Sequence, residues 1–102
     1  MSRIDDRILE YGFEHSYMTT KTLHSVFDVT RTYINRRLGV LMDMGLVYRE
    51  ENTVYHTSEQ GAHYLAGTYD VENEEYTIDD PDDASLQSWE DVGRLSDENY
   101  IG

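Results

Sequence analysis

Apolar residues recur at helical spacing through the first two thirds of the chain, and the punctuation between them predicts short elements. Ile4, Ile8 and Leu9 mark a first helix. Ser2 is placed to cap it, with Asp5 three residues on and Asp6 beside it favouring the positive helix start. Gly12 weakens the pattern, so this helix is expected to end near Phe13 or Glu14. Leu23, Val26 and Phe27 share one side of a short second helix over residues 20–27, capped by Thr19 or Thr20. Asp28 and Val29 form a turn. Thr30 caps a third helix that runs to about Met44, where Gly45 stops it by taking a left-handed conformation. Leu46 to Glu50 alternate apolar and polar, Glu51 and Asn52 read as a turn, and Thr53 to Thr57 form a second β-rich run. Ser58 caps a fourth helix carrying Ala62, Tyr64, Leu65 and Ala66, which Gly67 closes.

The order helix, helix, helix, hairpin, helix predicts a mainly α fold with a small β-hairpin. This is a winged helix-turn-helix: three-helix core, two-stranded wing and C-terminal helix, here followed by an acidic tail. Residues 1–67 are expected to be the winged-helix domain and residues 68–102 the tail. Within the tail, residues 70–83 are acidic and hold the only proline, Pro81, which predicts a disordered linker. Leu86, Trp89, Val92 and Leu95 then fall three apart, with Asp82 or Asp83 available as cap. They predict a short amphipathic helix over 84–95, expected to contact its own domain or another protein.

Charge changes the picture. The chain of 102 residues carries a formal net charge of -13. Residues 1–67 hold nine acidic and seven basic side chains, a net of -2; residues 68–102 hold twelve acidic side chains and Arg94, a net of -11. Lys21 is the only lysine. An acidic interaction tail would account for the second figure alone. Scarcity of lysine along the whole chain favours a protein of a salt-rich cytoplasm, where carboxylates hold water and self-repulsion is screened. No cysteine is present, so disulfides and cysteine zinc sites are excluded. The polar N-terminus shows no signal peptide, and no apolar run approaches the roughly 18 residues of a membrane span. A cytoplasmic location is expected.

The third helix carries the candidate chemistry. Ile34, Leu38 and Leu41 lie in one narrow arc and face the core. Arg31, Thr32, Asn35 and Arg36 lie outward near the N-terminal end, and Gly39 removes bulk from the middle of that face. Arginine pairs bidentately with guanine and asparagine with adenine, while a threonine methyl meets thymine or its hydroxyl a phosphate. Tyr33 and Arg37 sit toward a flank that suits phosphates, with Arg49 near the wing. Tyr11, Tyr48, Tyr55 and Tyr64 fall on elements that pack and are expected at the core or its rim, whereas Tyr17 and Tyr33 are candidates for exposure. His15, His24, His56 and His63 are scattered without ligand spacing, so no metal site is expected. No phosphate loop or catalytic pattern appears, so neither an enzyme nor a cofactor is expected.

Residues 29–47, Val-Thr-Arg-Thr-Tyr-Ile-Asn-Arg-Arg-Leu-Gly-Val-Leu-Met-Asp-Met-Gly-Leu-Val, resemble the recognition helix and following strand of winged-helix transcriptional regulators of the ArsR and MarR type. They are more similar still to the small winged-helix proteins of halophilic archaea and their viruses, phage-repressor-like ones included. Asp5-Asp-Arg-Ile-Leu-Glu-Tyr and Tyr55-His-Thr-Ser-Glu-Gln-Gly-Ala-His-Tyr-Leu-Ala-Gly extend the resemblance over residues 4–67. It implies dimeric binding to palindromic double-stranded DNA and transcriptional control. Three departures stand out. Glu50, Glu51 and Asn52 occupy the wing tip where such regulators carry basic residues, the cysteines of the ArsR metal site are absent, and the acidic tail has no counterpart. The expected function is a sequence-specific DNA-binding repressor adapted to high salt, acting as a homodimer. The alternative is an acidic protein-interaction winged helix of the anti-repressor or DNA-mimic type, which binds a basic partner instead.

Overall fold

Four helices and two short hairpins follow one another in a computed structural model that describes residues 3–51, 53–78 and 90–92. They are α1 (Arg3–His15), α2 (Thr20–Phe27), α3 (Arg31–Asp43), β1 (Val47–Glu50), β2 (Val54–Thr57), α4 (Glu59–Ala66), β3 (Tyr69–Asp70) and β4 (Glu75–Tyr76). The predicted caps explain the boundaries. Thr19, Thr30 and Ser58 each take extended backbone and accept from the amide three residues on, satisfying a donor that the helix leaves open. At the end of α3, Gly45 sits at φ +77°, Gly45 N donates to Met42 O, and Leu46 N donates to Leu41 O. That left-handed turn sends the chain straight from α3 into the wing. Ser2, the expected cap of α1, lies outside the described residues.

The core is what the periodicity placed there. Ile8 and Leu9 of α1, Leu23 of α2 and Ile34, Leu38 and Leu41 of α3 are fully buried, and Leu46, Val47 and Tyr55 close the cluster from the wing. Each fully buried aliphatic side chain contributes about 1.5–3 kcal/mol. β1 and β2 pair antiparallel with Val47 opposite Thr57 and Glu50 opposite Val54. A third segment joins them, because Met18, between α1 and α2, exchanges both backbone hydrogen bonds with Tyr55. The wing is thereby anchored to the helical core.

Three expectations are corrected. Tyr48 is not at the core rim: it is 52% exposed and stacks on His56 across the hairpin. Its position in β1 follows buried Val47, and strand alternation turns it outward. Val26 is also half exposed, so Leu23 alone of the α2 trio is fully buried. Finally, residues 69–76 form a hairpin that takes up the first half of the stretch 70–83 expected as a disordered linker; residues 79–83 lie outside the described residues. Tyr69 opposes Tyr76, Thr68 and Tyr69 are buried, and the Tyr76 ring meets buried His63 of α4 edge-on. The Thr68 hydroxyl donates to His63 O, so His63 Nδ1 supplies the proton in its own bond to Thr68 Oγ1. Asp70 closes the hairpin turn by accepting from Asn73 and Glu72, and these bonds hold its carboxyl below the usual range. Composition pointed to disorder, but Tyr69 and Tyr76 pack edge-on against each other, and Tyr76 packs against His63 of α4. Of the helix expected over 84–95, residues 90–92 are described; they are helical and Val92 is buried. The rest of that expectation lies outside the described residues.

Helix α4 is tied to α1 by Tyr64, whose hydroxyl donates to Asp6 Oδ1 at 2.8 Å. Burial, reinforced by that bond, pushes the phenol up to about 12. A folded-state value above the ordinary value of about 10 means a contribution complete below pH 10 and lost as pH rises through about 12. Denaturant unfolding across this alkaline window should therefore show a steeper loss of stability in the parent than in Tyr64→Phe. Superimposable profiles would remove Tyr64 as the cause.

Candidate nucleic-acid interface

The outward face of α3 forms as the helical wheel requires. Arg31, Thr32, Asn35 and Arg36 are exposed, while Ile34, Leu38 and Leu41 are buried behind them. Tyr33 is half-buried, and Gly39 has open space where a side chain would stand. Beside this face the N-terminus of α2, α3 and the wing enclose an open groove of about 640 Å³. Lys21 of α2, Arg31 of α3 and Arg49 of β1 all line it, and none of its described lining residues is acidic. Among the described residues neither Lys21, Arg31, Arg36 nor Arg49 is in an ion pair. Among the described residues these four cations without an ion pair stand on and beside one face of a molecule that is an anion overall.

Arg37 is set apart from this group. Its Nε and an Nη donate to the two carboxylate oxygens of Asp5 at 2.8 and 2.6 Å, a bidentate pair. Asp5 is fully buried and the Arg37 side chain is 20% exposed. The hydrogen bond to Asp5 raises the already high arginine pKa further. This guanidinium is engaged in binding α3 to α1, a structural role beside the phosphate contact expected of it. The physical reason is the cost of leaving a buried carboxylate without a counter-charge. Asp5 was read as a helix-start residue, yet it also faces across the core to α3. Only the tertiary packing reveals that.

One carboxylate of the acidic wing is hydrogen-bonded to a histidine. Glu50 Oε2 lies 2.7 Å from His56 Nε2, and the other ring nitrogen lies 2.6 Å from Ser16 O. Glu51 stays exposed, at φ +57° in the turn. Lys21 and Thr20, expected only as the lone lysine and a candidate cap, also line the groove, at a helix start where anions are favoured. The four histidines stay in separate settings, His24 on Val29 O and His63 on Thr68 among them. No helix among the described residues is long and apolar enough to cross a membrane.

A capped short helix, a turn, a second helix with a polar outer face and an adjoining two-stranded wing make this protein a winged helix-turn-helix. Among solved structures it is similar to the crystal structure of the PhiH1 repressor-like protein from Haloarcula marismortui. The two share 36% identity with a TM-score of 0.70, over 74% of this chain and 89% of that one. The chain belongs to the family of PhiH1 repressor-like proteins. No protein-family model matches it, and no curated protein does.

Proposed function

We propose that the protein is a sequence-selective double-stranded DNA-binding regulator, a repressor that works as a homodimer in a salt-rich cytoplasm. The observation that carries this reading is the groove whose described lining holds Lys21, Arg31 and Arg49 and no carboxylate, beside the exposed face of α3. Arg31, Thr32, Asn35 and Arg36 read base edges in the major groove; Lys21, Tyr33 and Arg49 meet phosphates. The kinship with a repressor-like protein supports the regulatory role. Counterion release supplies little affinity in molar salt. Affinity then comes from shape and direct hydrogen bonds, and the distant acidic surface is screened.

The test is operator selection from genomic fragments followed by gel shifts in molar potassium chloride. The parent should retain selective binding there. Arg36→Ala should lose about tenfold to a hundredfold in affinity for the selected site, the worth of one bidentate arginine contact. Its melting temperature should match the parent's, because Arg36 is exposed and has no ion-pair partner among the described residues. A parent that ignores DNA at every salt concentration but captures a basic protein would establish the acidic interaction module instead, a reading favoured by exposed Glu51 and by the net of -11 over residues 68–102.

A further inference from the structure

Thr20 and Asn35 come from different helices and meet in the groove, where Thr20 Oγ1 donates to Asn35 Oδ1 at 2.8 Å. Thr20 is the first residue of α2, directly after its cap, so its backbone is held by the helix. Its branched side chain has few rotamers, which makes it a firm support. An asparagine amide is two-faced: the oxygen accepts and the nitrogen donates twice. Unsupported, it can turn over to meet adenine, whose N6 donates and N7 accepts. With Oδ1 engaged by Thr20, the Nδ2 donors are the end of the amide left without a partner among the described residues.

We propose that Thr20 is a positioning residue that makes Asn35 a donor at its base pair, selecting the paired acceptors of guanine, N7 and O6, over adenine. This rests on the DNA-binding reading and deepens it. It also revises the simplest expectation for an asparagine on such a helix, which is adenine. The amine of adenine requires an acceptor, and Thr20 already occupies one of the two lone pairs of Asn35 Oδ1.

The experiment measures affinity of the full chain for its selected operator and for every guanine-to-adenine change in it. Parent, Asn35→Ala, Thr20→Val and Thr20→Ser are compared, with Thr20→Ala as a second truncation should the valine disturb folding. One guanine is expected at which the parent discriminates about tenfold and at which Asn35→Ala no longer does. At that same pair Thr20→Val should narrow the preference to about two- or threefold, chiefly by binding adenine better, as the amide becomes free to turn over. Other positions should not move, and Thr20→Ser should keep the parent's preference. A merely structural Thr20 would weaken all sequences alike, and that outcome overturns the proposal while leaving the DNA-binding reading intact. So does a parent that prefers adenine at the pair reported by Asn35→Ala. A parent with no selective DNA binding overturns both readings at once.

Discussion

Arg37→Ala is expected to destabilise the folded protein by about 3–5 kcal/mol, the usual consequence of removing one partner from a buried ion pair. The magnitude follows from what stays behind. Asp5 is fully buried, and both oxygens that Arg37 engages would lose charge-assisted bonds. The result should appear as a large fall in the denaturant midpoint. Arg37→Lys should recover part of it, since a lysine brings the charge without the fork. The neighbouring Arg36→Ala should lie within about 0.5 kcal/mol of the parent, as surface changes usually do. The two adjacent arginines thus divide the work: one binds α3 to the domain and the other is offered to a ligand. An Arg37→Ala protein that melts like the parent but binds DNA weakly would reverse that assignment.

Gly61→Ala is expected to cost about 3 kcal/mol or more, at or above the upper end of ordinary overpacking. A Cβ at Gly61 would stand 2.3 Å from Leu46 O and 2.9 Å from Thr57 Cγ2. The first neighbour is backbone and cannot step aside, because Leu46 O accepts from Ser58 N at 3.0 Å, a bond that closes the base of the wing. At about 4–8 °C per kcal/mol for a domain of this size, the melting temperature should fall by more than roughly 12 °C. Gly39→Ala is the natural contrast. Its Cβ would meet nothing within 4 Å, and alanine is the better helix former by about 0.5–1 kcal/mol, so that variant should be at least as stable as the parent. A mild Gly61→Ala would mean that α4 and the wing are not held together as tightly as the geometry indicates.

Much of this architecture is legible in the residues because it is local. A helix cap needs a threonine or serine at one position, and Thr19, Thr30 and Ser58 supply it. A helix wheel sorts Ile34, Leu38 and Leu41 from Arg31, Asn35 and Arg36 without reference to anything distant. Where the pattern misled, long-range contacts competed with it. Tyr48 has the residue type of a core side chain and the strand position of a surface one, and position prevailed. Residues 69–76 have the composition of a linker, but Tyr69 and Tyr76 pack against each other and Tyr76 against His63 of α4.

The division runs along range. Periodicity, caps and a glycine stop act within a turn or two, so the sequence alone determines the helices, their faces and the turn between them. The merging of Lys21, Arg31 and Arg49 into one groove, the pairing of Arg37 with Asp5 and the bracing of Asn35 by Thr20 join residues 10 to 32 positions apart. Such pairings have no signature in spacing, because any of several carboxylates could have met any of several cations. Only packing of the helices against a shared core, with a buried charge demanding its counterpart, selects which do.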